Sequence, residues 1–323
     1  MKLVALSVAA ASSFLFACAG DGADPLPSKD DFRSGKTDEV LPTCEEHGFP
    51  AGCDLCAELG WYGDGECDDD LVAAGVCAMA DEADCTPTAF RVTAAKLADP
   101  HVYVSFGICA DVTGVLDDKL SDQIAEDGDG DGDLDLTLLN IFRPLAPANA
   151  ATEVEVALGG CAGPAPGHDC TSDPTAGAVT AAVQQSSGEC LGAIPGTVPS
   201  GSGVATATAP CYATDPIDLP LSLAGVDLQL EDARVGGTFA GDAPATAIQN
   251  GLARGFVSEA QANALILPDD LPVVGGKPLS KILPGGQGSC KSTDGRDLGP
   301  DGVTKGWYFY INFSGEVVTL APR

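Results

Sequence analysis

The chain is poor in positive charge: 16 Lys and Arg stand against 47 Asp and Glu over 323 residues, a formal net charge of −31. A nucleic-acid partner requires a basic footprint that displaces counterions from phosphates, so that class is excluded. Histidine is scarcer still, at three residues. The sequence contains no Gly-x-Ser-x-Gly, no His-Glu-x-x-His, no phosphate-binding loop and no dinucleotide fingerprint, so it names no reaction. The uncharged run 3–17 is too short to cross a bilayer. What is plentiful points elsewhere. Gly 40 and Pro 23 make up about a fifth of the chain, which favours turns and short strands. Apolar residues at 45% suffice for a folded core.

Met1-Lys2 gives the run 3–17 a positive start, the pattern of a signal peptide over 1–17. The run ends Leu15-Phe16-Ala17-Cys18 and resembles a bacterial lipobox. The resemblance implies cleavage before Cys18, acylation of its thiol and a membrane partner held through that lipid. Residues 18–43, rich in Gly, Pro, Ser, Lys and Asp, read as a flexible tether. The expected location is the cell envelope, as an outer-membrane lipoprotein or at the cell surface.

Setting Cys18 aside leaves twelve cysteines of thirteen. An even number in an exported chain reads as a disulfide framework. Cys44, Cys53, Cys56, Cys67, Cys77 and Cys85 crowd one segment, and Cys109, Cys161, Cys170, Cys190, Cys211 and Cys290 spread over the rest. Close spacing favours Cys161–Cys170 and Cys190–Cys211, and elimination then favours Cys109–Cys290, among fifteen possible pairings of six.

Residues 44–85 hold twelve acidic side chains and no Lys or Arg. So short a segment cannot be held by its core alone, which makes it a separate disulfide-rich module. Gly63-Asp-Gly-Glu-Cys-Asp68 and Asp81-Glu-Ala-Asp-Cys85 resemble a Lin-12/Notch repeat. That family folds around one calcium ion, and the resemblance implies Asp64, Asp68, Asp81 and Asp84 as ligands.

From residue 86 onward short apolar runs alternate with turn residues. The pattern predicts strands over 89–97, 102–109, 151–158, 178–185 and 204–209. It also predicts a hairpin of 217–223 with 226–230, and a second of 307–313 with 317–320 about Ser314-Gly315. Ile248 and Leu252, four apart, predict a helix over 245–253, and Ser258-Glu-Ala-Gln261 predicts a capped helix start. A third short helical turn is expected at 278–283. The expected fold is mainly β: an antiparallel β-sandwich or barrel-like domain with a short helical insertion, spanning 86–323.

The sharpest motif is Asp127-Gly-Asp-Gly-Asp-Gly-Asp-Leu-Asp135, where carboxylates alternate with small residues before an apolar eighth position. Calcium takes six to eight hard oxygens, which a bent loop with every second side chain inward can offer. The segment resembles the calcium loop of EF-hand and dockerin repeats. The resemblance implies Asp127, Asp129 and Asp131 as side-chain ligands, Asp133 through its carbonyl, and Asp135 directly or through water. Leu138 stands where those families place the closing acid, so Glu126, Asp122 or a neighbouring loop would substitute.

His101, following Asp99-Pro100, is the one histidine placed for catalysis or metal binding, and a structural hydrogen bond is the simpler role. The main domain also resembles secreted proteins of predatory or gliding soil bacteria, a likeness that implies no activity. These features together predict an exported, calcium- and disulfide-stabilised binding module with a protein or glycan partner. A polysaccharide hydrolase using Asp/Glu chemistry and a small-lipid carrier are the alternatives.

Overall fold

The computed structural model describes residues 49–50, 53–59, 61, 71–72, 76–78, 87–145 except 129, 151–164, 169–198, 203–223, 226–241, 244–269 and 271–321. Outside them lie the expected signal peptide and tether with Cys18. So do Cys44, Cys67 and Cys85, His47 and His168, and the ligand candidates Asp64, Asp68, Asp81, Asp84 and Asp129. In the acidic module, helix α1 (Leu55–Leu59) carries Cys56, which is bonded to Cys77. Cys53 is also disulfide-bonded. Leu55, Trp61, Leu71 and Val76 are buried around the Cys56–Cys77 bridge, a core small enough to need one.

The main domain is mainly β, and its principal sheet closes into an eight-stranded antiparallel barrel. The strands are β1 (Thr88–Asp99), β4 (Thr137–Arg143), β5 (Ala151–Cys161), β6 (Asp169–Gln185), β9 (Cys211–Thr214), β11 (Val226–Ala240), β12 (Ala247–Ser258) and β14 (Lys305–Leu320). They follow one another in that order around the barrel, and β14 returns to pair with β1. Closure removes the exposed edges that an open sheet of this size would leave. Strand β10 (Ile217–Leu223) adds to β11, the short β13 (Asp297–Leu298) adds to β14, and β7 (Glu189–Leu191) pairs with β8 (Ala207–Thr208) apart from the barrel.

Alternation along β14 sets the layers. Trp307, Phe309, Ile311 and Phe313 join the main core, where Phe90, Phe142 and Tyr212 meet edge to face. Tyr308 and Tyr310 face the other way, into a second cluster with Leu191, Ala207 and Cys211. Helix α2 (Thr113–Ala125) and segment 265–283 pack Leu120, Ile124, Leu267, Leu271, Leu279 and Ile282 against the main core. The structure joins Cys161 to Cys170, Cys190 to Cys211 and Cys109 to Cys290.

Three local expectations are corrected. Residues 245–253 do not form a helix, and 247–253 belong to β12, because a four-residue spacing fits a strand's period of two as well as a helical turn. A bulge between Ile248 and Gly251, with Asn250 at φ 46°, then sends Ile248 into the main core and Leu252 into the second cluster. Residues 307–320 form one continuous strand instead of a hairpin. Gly315 sits mid-strand opposite Val92, where a Cβ would lie 2.8 Å from the Arg91 carbonyl oxygen, so this glycine serves close approach and not a turn. The expected strand 102–109 is a tight hairpin of β2 (Tyr103–Ser105) and β3 (Cys109–Asp111), turning at Gly107 with φ 83°. The segment before the acidic loop is helix α2, which the sequence pattern did not separate from other apolar runs. Ser258 does cap a helix, α3 (Glu259–Ala264), by accepting from the Gln261 amide.

Candidate functional site

One edge of β14 pairs with two different partners in succession, and the gap between them makes a cleft. Strand β1 runs along that edge until Asp99, opposite Tyr310; β13 resumes it at Asp297, opposite Gly306. The Tyr308 amide, left in the gap, donates to Asp297 Oδ2 at 3.3 Å. Only two strand residues, about 7 Å, separate that amide from Tyr310. A bulge between Leu97 and Asp99 decides where Asp99 points. Leu97 pairs with Ile311, on the core face; the bulge shifts the parity, so Asp99 shares the face of Tyr310 and lines the cleft. The Leu97 amide is held by Asp117 Oδ1 of α2 at 2.8 Å.

The cleft measures about 620 Å³, within the range of small-ligand sites. His101 and Tyr103 form one wall, Gly196, Thr197 and Val198 a second, and the run from Lys291 to Asp297 a third. The Cys109–Cys290 bridge ties the β2–β3 hairpin to the segment that carries this third wall. Tyr310 braces the second, its hydroxyl accepting from the Ile194 amide at 3.1 Å and bonding the Thr197 hydroxyl.

Two carboxylates dominate the electrostatics. Burial pushes Asp99 up to about 6; His101 draws it down and Asp297 pushes it further up. Burial likewise pushes Asp297 up to about 6, against the Tyr308 amide. Asp99 is only 7% exposed, yet among the described residues nothing donates a hydrogen bond to its carboxylate. The cations lining the cleft are engaged elsewhere. Arg296 donates to Asp294 at 2.8 Å and to Glu259 at 3.0 Å, which holds the Asp294 carboxyl down at about 2. Lys291 lies 5.0 Å from the centre of the Tyr103 ring. His101 Nδ1 meets Asp111 Oδ2 at 2.6 Å. Burial raises the Asp111 carboxyl, but hydrogen bonds from His101 and from the Thr113 amide and hydroxyl outweigh it and hold it low.

The acidic loop is embedded, not free. Leu134 is buried among Ala89, Leu139, Ile141 and the Cys161–Cys170 bridge, and its amide donates to the Cys161 carbonyl. Asp127 accepts from the amides of Gly130 (2.7 Å) and Gly132 (3.0 Å), Asp131 from Asp133 (2.9 Å), and Asp135 from Gly128 (2.9 Å). Gly130 and Gly132, at φ 76° and 101°, permit these turns. Asp133 packs against Gly160. Among the described residues, no group of three His, Cys, Asp or Glu side chains is arranged to hold a metal.

Of the residues singled out from sequence, His101 lies in the cleft and the acidic loop lies apart from its walls. Asp99, Lys291, Arg296 and Asp297 were not anticipated. A signal existed: Lys291-Ser-Thr-Asp-Gly-Arg-Asp297 is a dense polar run in a chain with few bases. Asp99, by contrast, read simply as the turn before Pro100. Comparison with protein-family models, with curated proteins and with solved structures finds no match to this chain.

Proposed function

We propose that this is an exported, lipid-anchored cell-envelope protein whose barrel presents the polar cleft as a non-catalytic site for a glycan. One observation carries the reading: a cleft of about 620 Å³ where Asp99 and Asp297 offer free acceptor oxygens beside Thr197 and Tyr103. That volume suits a few sugar units better than a folded protein. The interior cavity lined by Leu97, Leu120, Leu228 and Ile311 holds about 100 Å³, too little for the lipid of a carrier. The disulfides suit an oxidising compartment outside the cytoplasm. Calcium is proposed as a structural ion of loop 127–135, with Asp127, Asp131 and Asp135 turning carboxylate oxygens from loop amides to the ion.

Saturation-transfer NMR with fragments of envelope and soil polysaccharides tests the cleft. The expected result is contact with at least one fragment, lost in Asp99→Asn; no contact with any fragment overturns the glycan reading. Cys18→Ser should move the protein from the membrane to the soluble fraction, and unchanged fractionation refutes the anchor. A second reading, hydrolysis of polysaccharide, is favoured by two carboxyls that titrate near 6 and so suit general acid and base roles. Release of new reducing ends, abolished by Asp99→Asn and by Asp297→Asn, would establish it over simple binding.

A further inference from the structure

We infer that the cleft selects a ligand bearing a primary ammonium, seated between Asp99 and Asp297; on the glycan reading above, this is an amino sugar with a free amine. The inference deepens that reading and rests on it for the sugar, not for the amine. Asp99 has lost more than nine-tenths of its exposure and receives no hydrogen bond among the described residues. Asp297 receives one, from a backbone amide. Both carboxylates open onto the cleft with few protein donors, so water serves them there, and a ligand that brings donors and positive charge replaces that water to advantage.

The protein's own cations do not supply them. Among the described residues, His101 is the one basic side chain that draws Asp99 down, and it is held 2.6 Å from Asp111; among them, none draws Asp297 down. The incoming group must therefore bring its own charge. A divalent metal would need further ligands, and no third His, Cys, Asp or Glu completes such a set among the described residues. An ammonium brings one charge and three donors, which two carboxylates can share. The other charged or titratable groups at the site are placed as follows. Tyr103 comes from β2, Tyr308 and Tyr310 from β14, Arg254 from β12, and Lys291, Asp294 and Arg296 from the third wall. Arg254 donates from one guanidinium nitrogen to the Gly192 carbonyl.

Isothermal titration of the full chain with three probes tests the inference: a glucosamine tetramer, its fully N-acetylated counterpart, and 1,4-diaminobutane. At pH 7.5 the amine-bearing tetramer should bind at least tenfold more tightly than the N-acetylated one. The preference should vanish in Asp99→Asn and Asp297→Asn, both checked for folding by thermal melting, and in the wild type at pH 4.5, where the carboxyls are protonated. Equal binding of the two tetramers overturns the ammonium while the glycan reading stands. Binding of diaminobutane alone, sensitive to Asp99→Asn, supports the ammonium and overturns the sugar. Binding of no probe overturns the ammonium outright, and the NMR survey of neutral fragments then decides the glycan reading separately.

Discussion

Asp99 is held at a cost to the fold. Its carboxyl titrates near 6 in the folded protein, against an ordinary value of 3.8, and burial is the main cause. A raised carboxyl pKa means that the folded state binds the proton more tightly than the unfolded chain does. Stability from this group is therefore full below about pH 4 and is lost as pH rises to about 6. Two pKa units correspond to roughly 3 kcal/mol. Asp297, which burial also raises to about 6, works in the same direction. Asp99→Asn should accordingly raise the melting temperature at pH 8, by an amount on the order of 1–3 kcal/mol in stability, and change it little at pH 4. Thermal melts of the two proteins at both pH values check this, and a variant less stable at pH 8 would refute the unfavourable burial of the charge. A residue that weakens the fold where it faces a cleft belongs to binding more than to architecture. Nothing in the sequence around Asp99-Pro100 could reveal this, because a one-residue bulge determines whether Asp99 faces the core or the cleft.

At the scale of elements, alternation and turn chemistry made the β class readable, and the same rules misled wherever a glycine or a bulge had a purpose other than turning. Ser314-Gly315 has the composition of a hairpin turn, yet Gly315 lies flat in β14 between Val92 on one side and Ile248 on the other. The two readings differ in consequence. Gly315→Asn would suit a turn, but in a strand its Cβ would press to 2.8 Å on the Arg91 carbonyl. The substitution should cost about 1–3 kcal/mol, read as a lowered urea midpoint with unchanged slope; an unchanged midpoint would contradict the continuous strand. The acidic loop was legible as an element because its eighth position, Leu134, is indeed its anchor to the barrel wall. If the loop takes calcium, the ion should raise the melting temperature, and Asp127→Ala with Asp131→Ala should abolish the rise. A melt indifferent to both calcium and EDTA would remove calcium from the account.

For the whole molecule, the net charge of −31 works against compaction through self-repulsion, and cross-links offset it. The long-range pairing of β1 with β14 that closes the barrel has no local signature, since its partners lie more than 200 residues apart in sequence. The cleft inherits that obscurity, for its walls come from residues near 100, near 197 and from 284 to 297. The cysteine spacing alone hinted at their meeting, through Cys109 and Cys290. That bridge closes 181 residues, and by loop entropy it should stabilise the fold by about 5 kcal/mol. Its position matters more than its strength, because it fastens the β2–β3 hairpin, with Tyr103, to the segment beginning at Lys291. The Cys161–Cys170 bridge spans only nine residues and packs beneath Leu134, away from the cleft walls. Both double variants to serine should therefore lose stability, but only Cys109→Ser with Cys290→Ser should weaken binding of an amine-bearing oligosaccharide, by tenfold or more. Titration calorimetry well below each variant's melting temperature separates the two effects. Equal affinity in both variants would mean that the cleft keeps its shape without the bridge, its walls set by the register of β14 alone.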